Sequence, residues 1–161
     1  MHYVTDQLGF DAAVDYKGGT LAADLRARCP KGVDIYFENV GGEVLEAVLP
    51  LLNNFARIPM CGHVAEYNVV ERKVGPDKMP DLFLAILGHR LTIRGFVVSD
   101  FMNDMQDFVR DMGGWLAAGK IRYREEITEG IENAPRAFQA MLRAENFGKP
   151  LVLISPDPTR S

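Results

Sequence analysis

Long apolar runs are missing from this sequence. Crossing a bilayer takes about 20 consecutive apolar residues, and no stretch of the 161 residues approaches that length. The first residues, MHYVTD, carry neither the basic region nor the apolar stretch of a secretory signal peptide. These absences argue against a membrane-spanning protein and predict a cytoplasmic one.

Cysteine and histidine are scarce as well. The two cysteines, Cys29 and Cys61, and the three histidines, His2, His63 and His89, are scattered through the chain. A metal site or a disulfide needs closer pairing or more ligands than this spacing offers. We therefore expect no bound metal ion and two free, structural thiols.

Basic runs are also absent. The chain has 18 lysines and arginines against 22 aspartates and glutamates, a net charge of −4 and a pI near 5.4. This balance argues against nucleic acid or an anionic membrane as the main partner. With 47% hydrophobic residues, a chain of this length can bury one core.

A glycine-rich phosphate-binding turn is the fourth absence. Dinucleotide-binding folds place the pyrophosphate on a helix N-terminus that is reached through a G-x-G-x-x-G turn after a strand. No such pattern follows a predicted strand here, and Gly41–Gly42 forms the only strand–glycine–helix junction. A lone pair of glycines is weak evidence for phosphate binding.

What the sequence does contain is an alternation of β-branched, apolar runs with amphipathic helical segments. The three clearest runs are VDIYFENVGG at 33–42, FARIPMCG at 55–62 and LTIRGFVV at 91–98. This alternation is typical of βαβ units and predicts an α/β fold with a Rossmann-like parallel sheet and flanking helices. The run at 33–40 is continuous enough to predict a strand buried on both faces.

Periodicity, caps and breakers predict the other elements. Helices or helical turns are predicted at 3–8, 20–28, 43–52, 80–88, 101–116 and 133–143, and strands at 12–16, 33–40, 55–61, 91–98, 121–128 and 150–154. Residues 63–79 are predicted to form a loop over the ligand-binding edge of the sheet. The amphipathic helix that carries Trp115 is predicted to pack in the core.

Several short motifs occur in register along nearly the whole chain. They are LGFD at 8–11, AVDYK at 13–17, DIYFENVGG at 34–42, CG at 61–62, YN at 67–68, GFVV at 95–98, GKIRY at 119–123, EGIENAP at 129–135 and NFGK at 146–149. In this order they resemble the C-terminal part of the zinc-free medium-chain dehydrogenases/reductases. The most similar subfamily is the quinone oxidoreductase-like group of NADP-dependent alkenal, prostaglandin and curcumin reductases.

The resemblance implies a domain organisation. Residues 1–100 correspond to a partial NADP-binding Rossmann domain that lacks the first strand, the glycine-rich turn, the first helix and the second strand. Residues 101–155 correspond to segments that complete the cofactor domain and the GroES-like catalytic domain, and 156–161 to a flexible tail. The strand at 33–40 then has an open edge, which we expect strand 12–16 or another chain to cover.

The resemblance also implies an activity. A complete member of the family binds NADPH and transfers a hydride to the C=C bond of a small-molecule enone, without a metal. Because the phosphate-binding turn is missing, we expect this chain to be a fragment that is inactive by itself. The alternative is a non-catalytic, oligomeric α/β module that acts through protein contacts. A homodimer or larger oligomer is expected through the exposed sheet edges.

Tyr67 is the catalytic residue that the resemblance implies. The family places this tyrosine beside the nicotinamide ribose and the substrate. There a phenol can donate a hydrogen bond to the oxygen that gains charge as hydride reaches the β-carbon of an enone. The alternative is a loop tyrosine that covers apolar surface. His63, in the same loop, stands where the family has a small residue.

The strand ends supply the predicted cofactor contacts. Asn39 has an amide that can donate to and accept from a ribose or nicotinamide, or else bond its own turn. Cys61 and Gly62 follow the next strand, where backbone can approach a ribose or a flat ring. The resemblance places Tyr16 near the 2′-phosphate of NADP, with Lys17 adding positive charge. The alternative for this pair is an ordinary strand end with a solvated lysine.

Two more contacts rest on the resemblance. Phe96, Val97 and Val98 correspond to backbone that faces the nicotinamide carboxamide, on an edge strand that pairs with its copy in family homodimers. The alternative is a plain core strand. Asn146 corresponds to a contact near the nicotinamide-side phosphate, although Ala144 and the glutamate after it stand where the family usually has a glycine and an acidic or polar residue.

Overall fold

The computed structural model describes residues 2–67, 69–71 and 75–156 of the chain. The chain divides into two compact units, Met1–Met105 and Gln106–Ser161. Asn68 of the YN motif and the predicted tail beyond Pro156 lie outside the described residues. The assignment of the two parts of the chain to a cofactor domain and to completing segments stays a prediction.

A three-stranded parallel sheet in the order β1-β2-β3 organises the first unit. The elements of this unit are β1 (Val33–Ile35), β2 (Leu52–Met60), β3 (Thr92–Gly95), α1 (Leu21–Arg28), α2 (Gly42–Val48) and α3 (Met79–His89), with a π-helical turn at Tyr3–Gln7 and 3-10 helices at Leu49–Leu51, Val64–Glu66 and Val98–Asp104. The predicted α/β fold, with parallel strands and flanking helices, is confirmed.

Local sequence explains where the helices of this unit begin and end. Thr20 is the N-cap residue of α1, and its Oγ1 donates a hydrogen bond of 2.6 Å to Asp24 Oδ2. Pro80 lies in the first turn of α3, where its missing N–H leaves no helical bond unmade. Arg90 ends α3 in the left-handed region, with a φ of 53°.

The core of the first unit lies on one face of the sheet. Val48 of α2 and three residues of β2, namely Leu52, Ala56 and Ile58, are each 4% exposed or less. Ala56 and Ile58 are two residues apart on β2 and therefore point to the same face. Ile58 lies opposite Ile93 of β3, which packs against the same cluster.

The first strand is buried on one face only, which corrects the prediction of two buried faces. Tyr36 packs against the core cluster and Glu38 is fully buried. Ile35 and Phe37 alternate with them and are 56% and 58% exposed. An apolar run predicts a buried strand, but it does not show whether a second layer covers the other face.

The strand predicted at 33–40 is also interrupted. Within β1 the register against β2 shifts, and Phe55 in the facing stretch of β2 has a φ of 66°. Pairing resumes at Glu38, which forms an isolated parallel bridge with Met60. The chain therefore reaches the carboxyl edge of the sheet in two paired pieces rather than one continuous strand.

The strand predicted at 12–16 is not formed. Asp15 instead organises a turn: its Oδ1 accepts a hydrogen bond from the Lys17 N–H at 2.9 Å, and its backbone oxygen accepts one from the Gly18 N–H at 3.2 Å. An aspartate that binds the backbone two residues ahead favours such turns over strands. The prediction that this segment covers the open edge of β1 is therefore wrong for the described residues.

The second unit contains a two-stranded parallel sheet. Its elements are α4 (Met105–Ala117, which begins at the last residue of the first unit), β4 (Glu125–Glu129), a 3-10 helix at Ile131–Asn133, α5 (Ala134–Leu142) and β5 (Lys149–Leu153). All five residues of β4 pair with β5. The predicted strand and helix order is confirmed, but residues 121–124 lie outside β4.

The helix α4 is not a core helix. None of its residues is buried, and Phe108, Val109 and Trp115 are 57%, 60% and 47% exposed. Its amphipathic pattern correctly predicts a helix with one apolar face. The pattern does not identify what covers that face. None of the helices in the described part of the chain has both the length and the apolar character needed to cross a membrane.

Candidate functional site

The carboxyl ends of the first two strands are tied together through backbone. The carbonyl oxygen of Glu38 accepts hydrogen bonds from the N–H groups of Cys61 at 2.8 Å and Gly62 at 3.2 Å. The Val64 N–H donates to the Asn39 carbonyl oxygen at 3.1 Å. In parallel α/β sheets this edge is where ligands bind. The segments 38–41 and 61–67 therefore form one candidate site.

Three of the predicted site residues meet at this edge. A β-carbon built on Gly62 would lie 2.5 Å from Asn39 Oδ1 and 3.3 Å from Tyr67 Oη. Only a residue without a side chain leaves this space open. The structure therefore places the Asn39 amide and the Tyr67 phenol beside the half-buried Gly62 backbone, which follows the free thiol of Cys61 in the chain.

The phenol of Tyr67 projects into solvent beside this backbone. Its side chain is 67% exposed, and its Oη accepts a hydrogen bond of 3.4 Å from the His63 N–H. Because a phenol carries one hydrogen and two lone pairs, this bond leaves the hydrogen available to a further acceptor. The predicted catalytic residue is thus held at the site in a donor-competent state.

A glycine turn connects β1 to α2 beneath the His63 ring. Gly41 has φ 75° and ψ −156°, a conformation that is essentially restricted to glycine. A β-carbon built there would overlap the imidazole of His63. His63 therefore packs on this turn.

A buried carboxylate, which is not among the predicted site residues, supports the same turn. Glu38 is fully buried, and its Oε1 accepts hydrogen bonds of 2.7 Å from both the Val40 and the Gly41 N–H groups. Its Oε2 has no hydrogen-bond partner in the described structure. An acidic residue within an apolar strand was the available signal, since such a residue needs a partner.

Tyr36 is the neighbour of Glu38 on the core side of β1. Burial of the phenol is the main cause that raises the pKa of Tyr36, and the charge and hydrogen-bonding capacity of the Glu38 carboxylate raise the pKa further. Each effect disfavours a second negative charge beside the carboxylate.

The predicted contacts at Phe96, Val97 and Val98 lie beyond β3, which stops one residue earlier, so the prediction of a strand through residue 98 is corrected. The Asp100 carboxylate accepts a hydrogen bond of 3.3 Å from the Val97 N–H and thereby helps to start a 3-10 helix. Phe96 still follows the sheet, since its N–H donates to the Met60 oxygen at 3.3 Å.

An aromatic row borders this edge. The ring of Phe96 makes edge-to-face contacts with Phe37, at a centroid distance of 6.1 Å, and with Phe101, at 5.8 Å. Phe37 and Phe101 are 58% and 43% exposed. The row therefore presents apolar surface on the sheet face that the core does not occupy.

Tyr16 and Lys17 lie in the Asp15 turn, away from the strand-end cluster in sequence and in hydrogen bonding. The Lys17 Nζ lies 5.6 Å from the Tyr16 ring centroid. A cleft of about 350 Å³ beside Tyr16 is lined by the carboxylates Glu43 and Glu46, which oppose a phosphate in that cleft. The contact of Tyr16 and Lys17 with a phosphate stays a prediction.

Asn146 belongs to the second unit. Its Nδ2 donates a hydrogen bond of 2.8 Å to the Gly148 oxygen, so the side chain is engaged in its own loop. Ala144 in the same loop has a φ of 54°, in the left-handed region that favours glycine. The contact of Asn146 with a phosphate stays a prediction.

No group of three or more histidine, cysteine, aspartate or glutamate side chains in residues 2–67, 69–71 and 75–156 could hold a metal ion. The groups that the described residues offer at the sheet edge are the Asn39 amide, the Tyr67 phenol and backbone groups. An amide and a backbone edge suit a ribose or a carboxamide, and a phenol suits a carbonyl oxygen.

Comparison with known sequences identifies a matching family. The family described as zinc-binding dehydrogenase matches residues 8–152. The NADPH-dependent curcumin reductase of Escherichia coli (strain K12) is 47% identical over 156 residues, covering 96% of this chain and 45% of that protein. Prostaglandin reductase 1 of Sus scrofa is 40% identical over 146 residues, covering 89% of this chain and 43% of that protein.

Comparison with solved structures agrees. The crystal structure of CurA from Vibrio vulnificus in complex with NADPH matches with a TM-score of 0.91 and 45% identity, over 96% of this chain and 46% of that one. Escherichia coli quinone oxidoreductase complexed with NADPH matches with a TM-score of 0.66 at 15% identity over 86% of this chain and 42% of that one, which shows the fold alone. The chain spans about half the length of the curated relatives it matches.

Proposed function

This chain belongs to the zinc-binding dehydrogenase family, as a quinone oxidoreductase-like medium-chain dehydrogenase/reductase, and on that basis we propose that it forms part of an NADPH-dependent enone reductase. The observation that carries the proposal is the cluster of Asn39, Gly62 and Tyr67 at the carboxyl edge of the parallel sheet. The relatives named for NADPH-dependent curcumin reduction and prostaglandin reduction support the cofactor and the substrate class.

The strand-end backbone suits the nicotinamide end of the cofactor. Gly62 lets a flat ring or a ribose approach the main chain, and the Asn39 amide beside it offers a donor and an acceptor. Phe96, which follows β3, adds backbone on the other side of β2. Bound NADPH would supply the hydride.

Tyr67 suits the substrate oxygen. Its Oη already accepts a hydrogen bond from the His63 N–H, and its own hydrogen can be donated to an enone carbonyl. Charge builds on that oxygen as the β-carbon receives the hydride. A donor aimed at the developing charge lowers the barrier.

The aromatic row of Phe37, Phe96 and Phe101 supports an apolar substrate. The rings of Phe37 and Phe101 are exposed, and Phe96, which contacts both, directly follows β3. Exposed apolar surface at Phe37 and Phe101 favours binding of the hydrocarbon part of an enone. The polar groups would then orient the conjugated carbonyl.

A second candidate function is the non-catalytic oligomeric module. The observation that favours it is the outer edge of β1, which has no strand beside it in the described residues. An unpaired edge next to exposed Ile35 and Phe37 is a template for pairing with another chain. Cofactor binding distinguishes the two functions, because an edge-pairing module has no need of NADPH.

Titration of the chain with NADPH, followed by calorimetry, tests the proposal, with NADH as the comparison ligand. We expect saturable binding that prefers NADPH and is weakened in Asn39→Ala. The matched control is Asn103→Ala, because Asn103 is an exposed asparagine in the 3-10 helix after β3. Absence of NADPH binding in a chain shown to be folded by circular dichroism would contradict the proposal.

A further inference from the structure

We propose that Glu38 is a positioning residue, which holds the Asn39 amide, the Gly62 backbone and the Tyr67 phenol in register through the turn at residues 39–41. It contacts none of these groups with its side chain. It acts on the backbone segments that carry them. This inference rests on the proposed function for its biological meaning, although its geometry stands without it.

The side chain of Glu38 holds the start of the turn. Its Oε1 accepts 2.7 Å hydrogen bonds from both the Val40 and the Gly41 N–H groups, at the point where the chain leaves β1 for α2. Hydrogen bonds from N–H groups to a charged oxygen are shorter and stronger than hydrogen bonds to a neutral acceptor. Asn39 lies between the glutamate and these two donors, so its backbone conformation follows from them.

The backbone of Glu38 holds the other half of the site. Its N–H donates to the Pro59 oxygen at 2.9 Å, and its carbonyl oxygen accepts from Cys61 and Gly62 at 2.8 and 3.2 Å. One residue therefore links the turn after β1 to the loop after β2. Displacement of this residue would move Asn39 and Gly62 relative to each other.

The cost of burying Glu38 indicates that its carboxylate has a specific task. The residue is fully buried, and no lysine, arginine or histidine of the described structure forms an ion pair with it. A buried carboxylate without a cation is unfavourable unless hydrogen bonds compensate it. An apolar residue would fill the space at lower cost. It could not accept the hydrogen bonds from the Val40 and Gly41 N–H groups.

The second carboxylate oxygen makes an informative substitution possible. Oε2 has no hydrogen-bond partner among the described residues, and the Glu38 carboxylate adds to the effect of burial in raising the pKa of the nearby Tyr36 phenol. In Glu38→Gln the amide oxygen can keep both bonds to the turn while the amide nitrogen takes the Oε2 position. Glu38→Ala removes the acceptor altogether. Comparison of the two variants shows what is lost when the hydrogen-bond acceptor at position 38 is removed and what is lost when only its charge is removed.

The experiment compares the wild-type chain with Glu38→Ala, Glu38→Gln and the control Asp104→Ala, whose side chain is exposed at the end of the 3-10 helix after β3. Backbone amide NMR spectra are recorded without ligand, and NADPH is then titrated by calorimetry. Ligand-free spectra report the site geometry even where no cofactor binds.

In Glu38→Ala we expect the amide resonances of Val40, Gly41, Gly62 and Tyr67 to move, while those of β3 stay in place. We expect NADPH affinity to fall about tenfold, which is the effect of roughly one lost hydrogen bond to a charged group. In Glu38→Gln we expect Gly62 and Tyr67 to keep their positions and affinity to stay within about threefold of wild type.

Unmoved Gly62 and Tyr67 resonances in Glu38→Ala would overturn the proposal, as would changes spread evenly over the unit. If Glu38→Ala does not fold, Glu38→Gln decides: the Val40 and Gly41 amides must move, because a neutral acceptor replaces a charged one. Unmoved amides there would overturn the proposal. If the wild-type chain binds no NADPH, the ligand-free spectra still decide the role of Glu38, and the proposed function alone fails.

Discussion

The Asn39 side chain fills the space that a side chain on Gly62 would need at the carboxyl edge of the sheet. A β-carbon on Gly62 would lie 2.5 Å from Asn39 Oδ1, well inside van der Waals contact, although the two residues belong to different strand ends. The Asn39 amide can therefore take its position only because Gly62 has no side chain. Tyr67 Oη lies 3.3 Å from the same point.

Gly62→Ala tests this relationship. The new methyl group must displace the Asn39 side chain, so we expect NADPH binding to weaken about tenfold, equivalent to about 1.4 kcal/mol, while the chain stays folded. Calorimetric titration measures the change. The control is Gly88→Ala, because Gly88 lies within α3 with no atom within 4 Å of a built β-carbon. Equal affinities for both variants would contradict the account.

Gly41→Ala tests the turn beneath His63. The conformation at φ 75° and ψ −156° is unfavourable for alanine, and the methyl group also overlaps the His63 ring. We expect the free energy of unfolding to fall by at least about 2 kcal/mol. In a His63→Ala background we expect about 1 kcal/mol less destabilisation, because only the backbone strain remains. Urea unfolding of the four chains measures the cycle, and purely additive effects would show that the ring does not pack on the turn.

Alkaline pH tests the raised pKa of the half-buried Tyr36 phenol. The pKa of Tyr36 is raised in the folded chain, so its neutral phenol contributes stability that is fully present below the unfolded pKa of about 10 and is lost as pH rises toward the folded pKa. We expect the free energy of unfolding to fall above pH 10. We expect the free energy of unfolding of Tyr36→Phe to fall less steeply over the same pH range. Identical slopes in the two chains would contradict the raised pKa of Tyr36.

Turnover tests the expectation that this chain is inactive by itself. Because no glycine-rich turn follows a strand within the 161 residues tested, we expect the nicotinamide not to be held in the reactive geometry, and loss of positioning is costly for hydride transfer. With NADPH and an aromatic enone we expect a rate at least about 1,000-fold below a typical kcat of about 10 s⁻¹. Loss of NADPH absorbance at 340 nm measures it. Turnover at an ordinary enzymatic rate would show that the expectation is wrong.

The sequence predicts the fold class well because its strong signals are local. Apolar, β-branched runs with helical segments between them predict the parallel strands, and Thr20 and Pro80 predict the starts of α1 and α3 within a residue or two. The motifs in register predict the family. The positions of the strand ends also predict that Asn39 and Gly62 lie near one another, and the resemblance adds Tyr67; the roles of all three stay predictions.

The features that the sequence does not predict depend on partners in space. The segment 12–16 has the composition of a strand, but Asp15 binds its own backbone and no strand lies beside it in the described structure. Ile35 and the Trp115 helix are apolar, yet apolar character does not specify a covering layer. Glu38 shows its importance only once its contacts with Val40 and Gly41 are known.

The most direct test of the central claim is a residue-resolved NADPH titration by amide NMR. We expect the largest shifts on the amides of Asn39, Gly62 and Tyr67 and on the backbone of Phe96, with NADPH effective at lower concentration than NADH. The result that would contradict the central claim is NADPH shifts confined to other surfaces, or no shifts at millimolar cofactor in a folded chain.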